Sequence, residues 1–318
     1  MNPFLSVIMP CYNGERFIAA ALESVRTQYR DGIELLVIDD GSQDRTLEIV
    51  RDFAQALPMR IISPGRIGNW VAATNIGLRE ATGDWACFLH QDDLWLSGRM
   101  ERLWGEMETA EGALILHNAV FVGPEGERLG PWTCPFSDGV LRPDQLTERL
   151  LVQNFIAINS PVFRRKAALE SGALDESLWF SADWDLWLRL GAIGRVRFID
   201  EALSAFRIHP DSQTASRRLL ANEWELQLTT VLDRGLKNWA CAGRRRTSVV
   251  RAARVSIAVN SALSAATRGQ SPQTLTVLAK LLALGPGGWR RYLRDSRIVQ
   301  RVSSRLMLKR HGGSQCRS

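Results

Sequence analysis

No uninterrupted apolar run of about 18 to 20 residues occurs in this chain of 318 residues, so a membrane-spanning helix is not expected. The five cysteines, Cys11, Cys87, Cys134, Cys241 and Cys316, are odd in number and form no C-x-x-C pair, which favours a reducing compartment over a disulfide framework. A basic segment is missing before the first apolar run. That run ends at Met9 before Pro10 and reads as a strand rather than a signal peptide. There is no G-x-G-x-x-G after this first strand, no G-x-x-x-x-G-K-[ST], no H-E-x-x-H and no G-x-S-x-G, which removes the familiar dinucleotide, P-loop, zincin and hydrolase readings. Internal repeats and low-complexity tracts are absent as well.

Acidic residues are scarce in one region only. From Leu236 onward 17 Lys and Arg face a single acid, Asp295, a balance of +16, whereas the first 235 residues carry −10. Charge divided this way points to two regions with different surroundings, the basic one facing an acidic partner, anionic lipid or nucleic acid.

What is present is an alternation of short apolar runs and helical patterns. Leu5 to Met9, Glu34 to Ile38, residues 60 to 62 and Trp85 to Leu89 read as strands. Helices are expected between them, one with Phe17, Ile18, Ala21, Leu22 and Val25 on one face, then Thr46 to Ala56 and Asn69 to Ala81. Such alternation predicts an α/β fold, a mostly parallel central sheet with helices on both sides. Further on, Ser97 to Thr109, Leu146 to Val152, Lys166 to Ser171 and Asp183 to Ala192 read as helices, and Val196 to Ile199 and Leu203 to Ile208 as two strands. A Gly/Pro-rich stretch between Val122 and Pro143 reads as a long loop, a candidate acceptor-binding lid. The catalytic domain is expected to span 1–215, followed by a helical, basic C-terminal region, 216–318.

Carboxylates close several of these elements. Asp39-Asp40 follows the second strand, Asp92-Asp93 the fourth, and Asp183 with Asp185 opens a later helix. Adjacent carboxylates at the end of a buried strand repel each other unless a cation or hydrogen-bond donors compensate. In a parallel sheet the carboxyl ends share one edge, where ligands gather. A metal holding a phosphorylated ligand suits that position.

Five segments, "SVIMPCYNGERFI", "LLVIDDGSQDRT", "ATNIGLREATGDWACFLHQDDLW", "SADWDLWLRL" and "FRIHPDSQT", fall in order across about two thirds of the chain. Together they resemble the successive motifs of family 2 glycosyltransferases of the GT-A fold, and "QDDLW" is similar to bacterial rhamnosyltransferase-like members. The resemblance implies an inverting, metal-dependent hexosyltransferase that uses a UDP or dTDP sugar and a hydroxyl acceptor, a surface polysaccharide or lipid-linked glycan of the cell envelope. It implies that Pro10 and Tyr12 border the nucleobase, that Asp40 accepts from the base N3–H, and that Asp92 contacts the ribose. Asp93 and His209 would hold Mg²⁺ or Mn²⁺, and Asp183 would be the catalytic base. Two positions depart from the family pattern. Ala182 stands where an acid often precedes the base, and His90 where an acid or small polar residue is common.

The departures leave open a nucleotide-sugar-binding protein without turnover. A nucleic-acid-binding role for the basic tail is a further alternative, opposed by the acidic front region; nucleic acid is not expected as a partner. The protein is expected in the cytoplasm, with the tail as a peripheral anchor at the inner face of the cytoplasmic membrane. A chain ending near Gly235 is then expected to stay soluble.

Overall fold

Every residue of the strand Leu5–Cys11 (β1) is buried, because neighbouring strands flank it and helices cover it above and below. It pairs in parallel with Ile33–Asp39 (β2), which pairs with Met59–Ile62 (β3), and on its other side with Trp85–Phe88 (β4). The computed structural model describes residues 4–210, 212, 221–267, 274–303, 306 and 307. The register sets Cys11 beside Asp39 and Ile8 beside Phe88, so the segments after β1, β2 and β4 leave the sheet at one edge.

Helices Ile18–Arg26 (α1), Thr46–Phe53 (α2) and Trp70–Glu80 (α3) connect these strands. Val7, Met9, Leu35 and Val37 share one core with Ile18, Leu22 and Val50, whereas Ile8, Leu36 and Ile38 share the opposite core with Val71 and Leu78. The two-residue period of the strands thus divides the interior into two layers. Asn69 caps α3 by accepting from the Val71 amide at 3.0 Å. Gly77 lets α3 approach the sheet, since a Cβ there would lie 2.5 Å from Ile8 and 2.6 Å from Ile38.

The expected α/β sheet with helices on both sides is therefore observed, and its parallel order runs through β3-β2-β1-β4. Beyond β4 the ten-stranded sheet is mixed, continuing through Val162–Arg164 (β9), Leu114–Val122 (β6), Val196–Arg207 (β10) and Leu94–Trp95 (β5). Strand β9 is antiparallel to both β4 and β6, whereas β6 and β10 are parallel. The two strands expected between Val196 and Ile208 form one, with register shifts between Ile199 and Ser204 where Asp200 and Glu201 turn outward. The stretch expected as a long loop contains Arg128–Trp132 (β7), paired with β6, and Gly139–Leu141 (β8), paired with β10. Trp132 stacks on Phe121 with ring centroids 4.7 Å apart. This segment is tied to the sheet, and the free lid is not observed.

Helices Arg99–Thr109 (α4), Pro143–Leu150 (α5), Arg165–Glu170 (α6) and Ala182–Ile193 (α7) complete the front region. Further helices follow among the described residues, including Ala221–Asn238 (α8), Gly243–Thr267 (α9), Thr274–Leu282 (α10) and Gly285–Ser296 (α11). The boundary expected at 215/216 lies outside the described residues. Val231, Leu232, Trp239, Val249, Ala252 and Tyr292 share one continuous core with Leu150, Phe155 and Trp187. On its surface Glu148 accepts from Arg245 at 2.7 Å and from Arg291 at 2.6 Å. Burial opposes the Glu148 charge, and the two guanidinium groups override it and hold its pKa below the usual value.

Candidate active site

The backbone leaves β4 through His90 and Gln91 and turns at Asp92-Asp93. Gln91 clamps this turn to the end of β1, accepting from the Tyr12 amide at 2.8 Å and donating to the Tyr12 carbonyl at 3.0 Å. Asp93 is only 1% exposed. Its Oδ1 accepts from the Arg207 amide at 3.0 Å, while its Oδ2 is buried with no hydrogen-bond partner among the described residues. Burial and the adjacent Asp92 charge push the Asp93 pKa well above the usual carboxylate range. Burial also opposes ionisation of Asp92. Its hydrogen bond from His209 Nε2, 3.0 Å from Oδ2, and the nearby His90 outweigh that cost and lower its pKa.

Arg207 ties this corner together. Its Nε donates to the Asp92 carbonyl at 2.8 Å, and Nη1 donates to the carbonyls of Gly123 and Pro124, each at 2.9 Å. The guanidinium lies over Phe17, whose ring also packs 4.4 Å from that of His209. The structure thus brings Asp92, Asp93 and His209 together, and among the described residues His209 Nδ1 is buried and unpartnered. An unpartnered carboxylate oxygen beside a second carboxylate and an imidazole suits Mg²⁺ or Mn²⁺, which commonly take one or two protein carboxylates and complete their shell with substrate phosphate and water. Among the described residues no group of three or more His, Cys, Asp or Glu side chains is arranged to hold a metal ion by itself, so substrate phosphate and water would have to complete the shell.

A second group forms where β1 and β2 end. Pro10, expected on the first loop, lies inside β1 and is buried; Tyr12 is the first residue beyond the strand. Asp39 accepts from the Ser42 amide at 3.2 Å and so orders the turn. Asp40, 4% exposed, is engaged within the chain: it pairs with the Arg66 guanidinium and accepts from the amides of Ile67 and Gly68, the latter at 3.0 Å. The same guanidinium stacks on Tyr12, 3.6 Å from the ring centroid. Gly41 permits this closure, since its φ of +75° favours glycine and its Cα faces the Arg66 backbone.

Asp183 lies in the first turn of α7, at its amino terminus. Its Oδ2 accepts from Asn154 Nδ2 at 2.9 Å, and Asn154 Oδ1 accepts from the Ile156 amide at 3.1 Å, which fixes the orientation of the Asn154 amide. Burial raises the Asp183 pKa to about 6, against lowering by the Trp184 amide and by Asn154. Asp185, two residues on, is 5% exposed and paired with Arg189 at 2.9 Å and Arg234 at 3.6 Å. Asp183, by contrast, has no cation paired with it among the described residues, and its pKa suits proton exchange near neutrality. Beside β4, His90 packs against Trp70, ring centroids 5.1 Å apart, and burial lowers its pKa.

Sequence reasoning singled out the carboxylates and His209 but not Gln91, Arg207, Arg66 or Asn154. Gln91 and Arg207 lie within the quoted motifs, immediately before Asp92 and two residues before His209. Arg66 and Asn154 carry no local signal, because their partners are 26 and 29 residues away.

Comparison with known proteins supplies an independent observation. Residues 6–168, about half of the chain, match the profile of glycosyl transferase family 2. An uncharacterized glycosyltransferase of Rickettsia typhi is 27% identical over 226 residues, 69% of this chain and 68% of its own length. The uncharacterized glycosyltransferase EpsJ of Bacillus subtilis is 28% identical over 229 residues, 67% of this chain and 64% of that protein. The architecture also resembles S. aureus TarS, solved as residues 1–349 in complex with UDP-GlcNAc, with a TM-score of 0.67 at 16% identity over 98% of this chain and 92% of that one. The mannosyltransferase PcManGT of Pyrobaculum calidifontis, solved with GDP-Man and Mn²⁺, gives 0.57 at 16% identity, covering 97% and 87%.

Proposed function

We propose, from the premise that this chain belongs to glycosyl transferase family 2 and is a glycosyltransferase of the GT-A fold, that it transfers a hexose from a UDP or dTDP sugar to a glycan hydroxyl with inversion. The observation that carries the reading is a pair of acid groups. Asp93 Oδ2 is buried with no hydrogen-bond partner among the described residues and lies after β4, where a nucleotide diphosphate and its cation would sit. Asp183 is held by Asn154, with a pKa raised to about 6.

In the reaction the acceptor oxygen forms a bond to the anomeric carbon while the bond from that carbon to the diphosphate oxygen breaks. The electron pair departs with the nucleoside diphosphate, and the acceptor proton passes to the Asp183 carboxylate. One base and a direct displacement invert the anomeric centre; no carboxylate nucleophile is needed. Asp93 Oδ2 and His209 Nδ1 are the atoms available to Mg²⁺ or Mn²⁺. When a divalent ion is bound, it neutralises charge building on the departing diphosphate. Asp92, oriented by His209, faces the ribose in this reading, and Arg207 keeps both carboxylates in register.

Pro10 and Tyr12 border the base. Asp40 reads its N3–H, and for that the base must replace Arg66, which occupies both the Asp40 carboxylate and the Tyr12 ring face. Support for a nucleotide sugar comes from the two structural neighbours, solved with UDP-GlcNAc and GDP-Man. The pyrimidine preference rests on Asp40 alone. The acceptor is read as a cell-envelope polysaccharide or lipid-linked glycan at the cytoplasmic membrane face, in keeping with the basic C-terminal region 216–318 appended to a catalytic domain of 1–215. No helix among the described residues is long and apolar enough to cross a membrane.

A thermal-shift screen of UDP-, dTDP- and GDP-sugars with and without Mn²⁺ tests the proposal. Stabilisation by UDP- or dTDP-sugars that depends on Mn²⁺ is expected. Stabilisation by GDP-sugars alone contradicts the base assignment.

A further inference from the structure

The basic arginines of the C-terminal helices divide into two sets. Arg245 and Arg291 are consumed by Glu148, Arg294 by Asp295, and Arg297 by the Cys134 carbonyl. The Glu148 and Cys134 contacts fasten the helices to the front region, whereas the Arg294 pair lies within α11. Arg244, Arg251, Arg254, Lys280 and Arg290 are exposed, and among the described residues none of them has an acidic partner.

Beside this second set lies an apolar face without a partner among the described residues. Helix α10 has no buried residue. Its Val277 and Leu281 are half-buried, with Leu281 packed against the main core. Leu275, Leu278 and Leu282 turn the other way and are 84, 49 and 77% exposed. Their spacing of three and four residues puts them on one helical face. Of the eleven exposed large apolar side chains among the described residues, seven lie from α10 onward, so the apolar exposure is concentrated where the unpaired cations are. Arg244 and Arg251, seven residues apart on α9, line a single open groove with Leu284 and Gly288, which follow α10 directly.

Three candidate partners fit a basic surface, and the leucines discriminate among them. Nucleic acid offers phosphates but no apolar layer to receive three leucines. A second copy meeting face to face would bring like charges together. An anionic bilayer supplies both a negative surface and an apolar layer beneath it. We propose that the outward face of α10, together with Arg244 and Arg251 of α9 in the adjoining groove, is a docking surface for anionic phospholipid, with α10 lying in the plane of the interface. This deepens the membrane-face reading above and rests on it for its purpose, which is to hold the catalytic cleft near lipid-linked acceptors.

Sedimentation of the full-length protein with phosphatidylcholine vesicles, and with vesicles also containing phosphatidylglycerol, tests the docking surface. The parent is expected to pellet with the anionic vesicles only and to be released by about 1 M salt, where the screening length falls to about 3 Å. The combined variant Leu275→Ser, Leu278→Ser, Leu282→Ser and the combined variant Arg244→Glu, Arg251→Glu are each expected to partition at least about tenfold less, with Mn²⁺-dependent donor binding at the parental level. All five side chains are exposed, so folding is spared, and donor binding reports it. Parental vesicle binding by either variant, or a parent indifferent to lipid charge, overturns the docking surface while normal donor binding leaves the transferase reading intact. A parent that self-associates in solution, with the serine variant monomeric and vesicles ignored by both, assigns the face to a second copy and also overturns the proposal.

Discussion

At the scale of single residues the account turns on Asp183 and its support. Asp183→Asn keeps the shape and the Asn154 contact but removes the base, so transfer is expected to fall about 10²- to 10⁴-fold while donor affinity stays parental; near-parental turnover in a coupled nucleotide-release assay would move the base elsewhere. Burial lifts the Asp183 pKa to about 6, and the base works only when ionised. The kcat/KM profile should therefore show an acidic limb near pH 6, with activity lost as pH falls through it. Asn154 favours the ionised form, so in Asn154→Ala the limb should move to higher pH, whereas a limb that stays in place would deny Asn154 a positioning role. The raised pKa has the opposite sign for stability: Asp183 binds its proton more tightly in the folded state, so its stabilising contribution is full below the unfolded pKa near 3.8 and is lost as pH rises through about 6. The acids themselves were legible in the sequence because each closes or opens a regular element. Arg66 and Asn154 were not, since only the folded chain brings them to Asp40 and Asp183.

Between elements, the approach of α3 to the sheet is a close one. Gly77→Ala would drive a methyl group into Ile8 and Ile38, and the expected loss is about 1–3 kcal/mol, read as a lower urea midpoint at unchanged slope. An unchanged midpoint would show that the helix can retreat without cost. The parallel units from β1 to β4 were readable because each is a continuous apolar run followed by an amphipathic helix. Strands β5, β7 and β8 were not: β5 has two residues, β7 carries Gly130 and Pro131, and β8 has three residues. Such strands are set by the neighbour they pair with rather than by their own pattern. The bulge in β10 divided one strand into two apparent ones for the same reason, its exposed Asp200 and Glu201 interrupting the apolar period.

For the molecule as a whole, charge asymmetry drew attention to the C-terminal region but concealed how firmly it is packed. Gln153 Oε1 accepts from Ser256 at 2.8 Å and from Asn260 at 2.6 Å, so α9 braces the residue next to Asn154. With Trp239, Val249, Ala252 and Tyr292 in the same core as Leu150 and Trp187, a chain ending near Gly235 is expected to expose that core and aggregate, contrary to the soluble fragment suggested by the sequence. A cooperative melt of the truncated chain at the parental temperature would show the helices to be dispensable. In the proposed reaction a nucleoside diphosphate and a divalent cation meet at Asp93, and Asp183 serves as the base without holding either. Calorimetric titration of UDP into the parent, Asp93→Asn and Asp183→Asn, each with Mn²⁺ and with chelator, measures this directly. Parent and Asp183→Asn should bind alike and only with Mn²⁺, and Asp93→Asn should bind weakly; equal binding by Asp93→Asn, or undiminished binding by the parent in chelator, would contradict the account.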